Sequence, residues 1–388
     1  MGFKPIPTAV AVILALLIWY AIPVPEGVTS DAWHLLALFV GVVAAIIGKA
    51  MPIGAVAMLA ITLVAVTGVT SDSPAQAAKD ALSSFNSPLI WMIGVAIMIS
   101  RGLLKTGLGV RFGYMFIAVW GKRTLGIGYS LAISDLLLAP VTPSNTARGG
   151  AIVHPVMRAI AGSFDSDPEK GTEGKIGKYL ALVNYHANII CCSMFITATA
   201  PNPLVVDLIS KATGAQISIS WGMWATAMLL PALVALVLMP IILYYLYPPE
   251  IKHTPNATGF AKERLKEMGP MSRGEWIMLA IFGLLLLLWA GIPAMIFGPA
   301  AAVDATTTAF IGLSLLLLTG VLTWDDVLKE KSAWDTITWF AALVMMATFL
   351  NKLGLIAWFS GVLESSISGL GLSWVFGCAL LLLAYLYS

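Results

Sequence analysis

Ala139-Pro-Val-Thr-Pro-Ser-Asn-Thr-Ala-Arg-Gly-Gly-Ala-Ile-Val-His-Pro155 sets turn formers and small hydroxyl and amide side chains between two apolar segments. Irregular, polar main chain persists at membrane depth only where protein buries it or where it lines a water-filled cavity. This stretch therefore proposes a binding site, provided the surrounding chain crosses a membrane. Composition says that it does. Of 388 residues, 59% are hydrophobic and 11% charged, against about a quarter charged in a soluble domain. The expected fold class is an all-α polytopic membrane protein.

The bilayer is thus the expected macroscopic partner. A net charge of +2, spread mostly between the apolar segments, offers nucleic acid no basic surface. Cys191, Cys192 and Cys378 lie in apolar stretches without C-x-x-C or Cys/His spacing, so neither a disulfide framework nor a zinc site is indicated. No resident cofactor is expected. Lys4 followed by apolar residues 9–22 has the layout of a secretory signal, but no small-x-small cleavage site follows before Pro23-Val-Pro-Glu-Gly27. The reading is a retained first span.

Apolar runs of the roughly 17–25 residues that cross a bilayer fall near 8–25, 32–48, 53–70, 88–104, 180–210, 221–247, 275–292, 304–322 and 334–351. Residues 124–140 and 147–162 flank the opening stretch as two arms that reach into the membrane and turn back, a re-entrant hairpin. Residues 105–122, with Lys105, Arg111 and Lys122 among aromatics, read as a helix in the membrane interface. With a cytoplasmic N-terminus, all of the 22 Lys and Arg except Lys79, Lys211 and Lys352 fall on the cytoplasmic side or in the hairpin entering from it. The expected location is a bacterial-type inner membrane.

The chain also repeats itself. Thr67-Gly-Val-Thr70 recurs as Thr319-Gly-Val-Leu-Thr323, and Leu103-Leu-Lys-Thr-Gly-Leu108 as Leu350-Asn-Lys-Leu-Gly-Leu355; Gly126-Ile-Gly-Tyr129 finds a counterpart in Leu370-Gly-Leu-Ser-Trp374. The organisation read from this is a separate first helix in 1–31, then a first repeat in 32–247 holding the hairpin 124–162 and a broken helix 180–210. A cytoplasmic loop, 248–274, and a second repeat, 275–388, follow. An odd number of spans in the first repeat inverts the second, as in secondary transporters. By this alignment the second repeat stops in its hairpin, about 90–100 residues short of the first.

Two constellations carry chemistry. Pro143-Ser-Asn-Thr146 joins the carbonyl end of one half-helix to the amide end of the next. Hydroxyl, amide and carbonyl oxygens there suit a small cation, and helix-start amides suit a carboxylate; by spacing alone Ser-Asn-Thr is also an ordinary N-cap. In Ile196-Thr-Ala-Thr-Ala-Pro-Asn-Pro203, Pro201 and Pro203 break the span near its middle. That is either a proline kink or, with Thr197, Thr199 and Asn202 beside it, a second source of oxygens. Arg148 either draws an anionic substrate or pairs with Asp135 on the facing arm. Asn184 and Asn188, at i,i+4, suit hydrogen bonding between helices, with a proton relay through His186 as the alternative. Asp207 reads as a surface-end residue.

Pro143-Ser-Asn-Thr-Ala-Arg-Gly-Gly150 with Pro155, the break Thr199-Ala-Pro-Asn-Pro203, and Phe85-Asn-Ser-Pro-Leu-Ile-Trp91 together resemble the divalent anion/sodium symporters. The likeness is greatest to the branch of citrate/succinate antiporters and 2-oxoglutarate/malate translocators. The resemblance implies that Ser144, Asn145, Thr199 and Ala200 contact sodium, the coupling ion, in part through main chain. It also implies that Asn145 and Thr146 face a small carboxylate; Arg148, Thr199, Pro201 and Asn202, drawn from the two constellations, complete the candidate substrate-binding residues. It further implies a homodimer, elevator-type alternating access, and a second half-site from the second repeat. The function expected is secondary transport of di- or tricarboxylates by sodium symport or anion exchange, with no chemistry on the substrate and hence no enzyme. An inorganic-anion permease for sulfate or arsenite, and a non-transporting membrane protein, are the rivals.

Overall fold

The computed structural model describes residues 2–213, 216–367 and 371–387, among which no strand forms; Leu370 and Ser388 lie outside them. In chain order the α-helices are α1 (Pro5–Leu16), α2 (Ser30–Ile47), α3 (Ile53–Thr67), α4 (Pro74–Leu82), α5 (Pro88–Thr106), α6 (Leu108–Trp120) and α7 (Thr124–Leu138). Then come α8 (His154–Gly162), α9 (Gly177–Met194), α10 (Pro201–Ala212), α11 (Trp221–Leu246), α12 (Pro255–Met268) and α13 (Arg273–Trp289). The last are α14 (Ile292–Phe297), α15 (Ala305–Leu318), α16 (Trp324–Lys329), α17 (Lys331–Lys352), α18 (Leu355–Ile367) and α19 (Leu372–Tyr387). Each of the nine apolar runs coincides with helix. Four of them, α2, α5, α11 and α17, are long and apolar enough to cross a membrane, as is the first hairpin arm, Thr124–Val141.

Polar residues at the starts explain where several helices begin. Thr29 caps α2 by accepting from Ala32 N, Ser220 caps α11, and Ser272 with Glu275 forms a capping box on α13. Each satisfies amides that have no partner within the helix.

The chain divides into two compact units, one of residues 1–90 with 335–388 and one of 91–334. This division follows contacts, and its boundaries differ from those expected for the repeats. In the first unit, α1–α3 and α17 share a core that includes Leu35, Val42, Val56, Ala60, Met345 and Met346. Trp33 Nε1 donates to Ile18 O and Ile22 O where α1 ends in a wide turn.

In the second unit, α7 is the buried centre, packed against α6, α9 and α11. Its polar residues are satisfied locally, Ser130 and Ser134 donating to the carbonyls of Gly126 (2.8 Å) and Ser130 (2.6 Å). Two features depart from the sequence reading. Residues 248–274 are not simply a loop, because α12 forms within them and packs Ala257 and Ala261 toward α6 before the chain turns by 107° into α13. Within 105–122 the helix is not continuous: Lys105 ends α5, Gly107 (φ +77°) makes the turn, and Arg111 on α6 is buried in the protein. Its guanidinium forks onto Glu275 at 2.5 and 3.1 Å. Planar bidentate pairing offsets the desolvation of both ions.

Lys105 itself meets Asp326 at 2.5 Å and holds that carboxyl below the ordinary carboxylate range. A depressed carboxylate contributes fully above its unfolded pKa, about 4, and loses its contribution only as pH falls through the lower folded value. The Asp326 carboxyl therefore contributes no pH dependence near neutrality.

Candidate functional site

Helical arms flank the polar stretch on both sides. The first arm, α7, tightens into a 3-10 turn at Ala139–Val141, and non-helical residues 142–144 make the tip. The second arm opens with a π-helix, Thr146–Val153, which runs into α8. Pro155 has no amide to donate, and Gly149-Gly150 can take up a wide turn. π-Helical turns of this kind gather at functional sites. The broken span is α9, a 3-10 turn at Ile196–Ala198, extended Thr199, and α10 beginning at Pro201.

Arg148 joins these pieces. It has no exposed surface, and its Nε donates to Asp135 Oδ2 at 3.0 Å. Its Nη1 donates both to Thr142 O in the tip (2.9 Å) and to Ala198 O in the break (3.1 Å), and its Nη2 to Asn188 O on α9 (3.4 Å). Two carbonyls sharing one nitrogen must be neighbours, so one side chain draws tip and break together. Asn188 Nδ2 occupies the other Asp135 oxygen at 3.0 Å, and Asn184 Nδ2 reaches Gly149 O at 3.3 Å. Of the roles open to Arg148, the structure has it paired with Asp135, with no surface left toward a substrate. The asparagines bond between helices, while His186 bonds within its own helix to Leu182 O.

The carbonyls at the tip are less free than the sequence implies. Pro140 O accepts from the Thr197 hydroxyl, which in turn accepts from Trp221 Nε1 at 3.0 Å. Asn202 spends its NH2 on Cys192 O (2.7 Å) and Phe195 O (2.9 Å), capping the end of α9, so that only its oxygen remains for a ligand. Ser144 Oγ accepts from Ala147 N at 3.2 Å, the N-cap contact that its spacing suggests. Thr146 and Pro201 are exposed, whereas Ser144, Asn145, Thr199, Ala200 and Asn202 are half-buried. Asp207 is half-buried on α10.

Buried oxygens without a partner mark what the frame leaves open. Thr142 Oγ1, Asn145 Oδ1 and Asn184 Oδ1 are among them. An unpartnered buried amide oxygen costs about 1–3 kcal/mol unless a ligand or water meets it. Asn145 Oδ1 is a neutral hard oxygen of the kind that sodium accepts, and the tip therefore fits that ion by the chemistry of its donors. Among the described residues no three His, Cys, Asp or Glu side chains converge.

The sequence reading missed the tryptophans. Trp221 stacks on Phe195 at 5.5 Å, and Trp224 Nε1 donates to Ser193 O at 2.9 Å. Their i,i+3 spacing at the head of α11 was the available signal. Gly149 also has a definite reason: a Cβ there would sit 2.8 Å from Asn188 Nδ2. Gly149→Ala is expected to push Asn188 off Asp135, a charge-assisted bond worth about 1.5–3 kcal/mol. A melt of the purified protein would register the loss as a lowered Tm; an unchanged Tm would mean that the side chains yield without cost.

The family model for the sodium:sulfate symporter transmembrane region matches residues 4–388. YflS of Bacillus subtilis strain 168, a candidate malate transporter, is 48% identical over 96% of this chain and 74% of its own length. Dicarboxylate transporter 1 of spinach chloroplasts is 43% identical over 98% of this chain and 64% of its own length. The L-tartrate/succinate antiporter of Escherichia coli O6:K15:H31 (strain 536) is 36% identical, with 94% and 74% covered. The chain therefore spans about two thirds to three quarters of the length of these relatives. A match along nearly the whole chain, joined to apolar helices and a buried polar hairpin, leaves one conclusion: this is an integral membrane protein that belongs to the sodium:sulfate symporter family.

Proposed function

We propose that the protein is a secondary carrier of small di- or tricarboxylates, of the succinate, malate, 2-oxoglutarate and citrate class. The observation that carries this is the joined tip and break, where two helix starts, at Thr146 and Pro201, accompany the unpartnered Asn145 oxygen. Helix-start amides favour a carboxylate, and neutral oxygens favour sodium. Asn145 and Ser144, with main chain at Thr199 and Ala200, hold the ion. Asn145, Thr146 and the start of α10 at Pro201 hold the carboxylate, with the oxygen of Asn202 in reach. Arg148 positions this set from beneath rather than touching substrate. The names of the relatives support transport over catalysis, and the antiporter among them supports exchange of one organic anion for another.

The organisation that goes with this function is a first helix (1–31), an inverted pair of repeats (32–247 and 275–388) and a cytoplasmic connection (248–274), with the N-terminus cytoplasmic. The compact unit of residues 91–334 holds the hairpin and the broken helix, while residues 32–70 fall in the other unit. That separation supports an elevator in which the site moves against a scaffold, and the scaffold is where a homodimer would form.

The test is uptake into proteoliposomes of labelled succinate and citrate by the full-length protein, with and without a sodium gradient and with internal counter-substrate. Uptake that requires internal dicarboxylate establishes exchange, and uptake that follows the gradient establishes symport. The family description names sulfate, so sulfate is the third arm. Movement of sulfate with neither carboxylate would overturn the carboxylate reading.

A further inference from the structure

We infer that a crevice among α1, α2 and α3 binds an anionic phospholipid, with an acyl chain in the crevice and the headgroup phosphate between Lys4 and Lys49. The crevice encloses about 110 Å³ and is lined by apolar groups, among them Ala11, Ala15, Gly41, Ala45, Ala60 and Leu63. Its origin is the close approach of α1 to α2, where a Cβ on Gly41 would lie 2.9 Å from Ala15 Cβ. Residues that small let two helices touch along their backbones but cannot fill the space between them and α3. The mouth is framed by Val12, Leu59 and Leu63, each between 44% and 49% exposed. In a membrane-spanning chain that mouth faces hydrocarbon. An apolar crevice opening there takes an alkyl chain and excludes water.

Charge at one end selects the headgroup. Lys4 N donates to Ala50 O at 2.9 Å, so the start of α1 and the end of α2 are held together and both lysines stand at the same rim, exposed. Lys49 has φ +51°, a left-handed conformation that favours glycine. Its backbone is fixed by Lys49 N to Ile46 O (3.0 Å) and Ala50 N to Ala45 O (2.9 Å), the closing bonds of a helix end where glycine is usual. A lysine therefore occupies a glycine position beside a crevice mouth. Asp335 lies against Gly54, on the face of α3 opposite the lining residue Val56, and Glu26 and Asp31 flank the far ends of α1 and α2. Basic groups between transmembrane helices are a recognised means of holding anionic headgroups.

The full-length protein, delipidated in detergent, is to be titrated with palmitoyl-oleoyl phosphatidylglycerol and, separately, with the phosphatidylcholine of the same chains, reading adducts by native mass spectrometry and Tm by thermal melt. Phosphatidylglycerol is expected to form a one-to-one adduct and raise Tm, and phosphatidylcholine to bind more weakly. Lys49→Gly relieves the left-handed strain, so the delipidated protein should melt no lower, yet its affinity for phosphatidylglycerol should fall about fivefold. Adding Lys4→Ala should multiply that loss by a similar factor. Val12→Trp, at the exposed mouth, should block both lipids without lowering the lipid-free Tm. Equal binding of the two lipids, or undiminished binding by Lys49→Gly, overturns the headgroup assignment. Lipid retained by Val12→Trp overturns the crevice, as does glycerol phosphate competing as well as the whole lipid. A second copy of the chain displacing the lipid makes the crevice an oligomer contact instead.

Discussion

Arg148→Met is expected to abolish uptake and to cut sharply the yield of folded protein, whereas Asp135→Leu combined with Arg148→Met should restore folded protein without restoring uptake. Both side chains are fully buried, so removing the arginine alone strands a carboxylate that keeps neutral neighbours such as Asn188 but no counter-charge at hydrogen-bond distance. A broken buried pair costs about 3–5 kcal/mol, while replacing the whole pair by apolar groups of similar volume is often neutral. The double variant nevertheless lacks the donor that Thr142 O and Ala198 O share. Tip and break then lose their common tether, and a displacement of about 1 Å at a site of this kind can cost a hundredfold in rate. Size-exclusion profiles, melts and succinate uptake measured on the same three proteins distinguish the cases. A well-folded Arg148→Met protein with normal transport would sink the tethering role; a well-folded one with weakened substrate affinity alone would move the arginine into the substrate site.

Asn145→Ala is expected to do the reverse, abolishing uptake while leaving the folded protein at least as stable. Asn145 Oδ1 is buried without a partner, and the amide's recorded side-chain contact is with the Cys192 thiol, so the substitution removes an unmet acceptor and at most a weak bond to sulfur. Stability has little to lose, but on the proposed function the Oδ1 ligand to sodium and the Nδ2 donor to the carboxylate disappear together. Asn145→Asp sharpens the test, since an added negative charge should favour the cation and repel the anion. Sodium binding that persists, read by a sodium-dependent shift in Tm, alongside lost succinate uptake, is the expected pattern. Normal uptake in Asn145→Ala would refute the assignment of the tip.

Much of this protein was legible from the chain. Nine apolar runs announced helices because length and hydropathy are local properties, and Pro143, Pro201 and Pro203 announced breaks because a missing amide is a property of one residue. Asn184 and Asn188 declared a shared face through helical periodicity alone. The helix α12 was hidden because its composition is polar: its stability comes from packing Ala257 and Ala261 against α6, which no local pattern reveals. The pairing of Arg111 was likewise hidden because its partner, Glu275, stands far away in the sequence.

The sequence by itself determined a membrane protein, its helices, the two interruptions and the oxygen-rich residues at them, since each follows from composition and spacing. Only the tertiary structure decided what those residues are free to do. Arg148 could attract an anion or lock the hairpin, and the choice rested on carbonyls six and fifty residues away that its planar donors reach at once. Asn202 and Asn145 look alike as side chains. The first has its NH2 spent capping α9 and the second keeps a buried oxygen unclaimed, because hydrogen-bond capacity is consumed by whichever partners folding brings within reach.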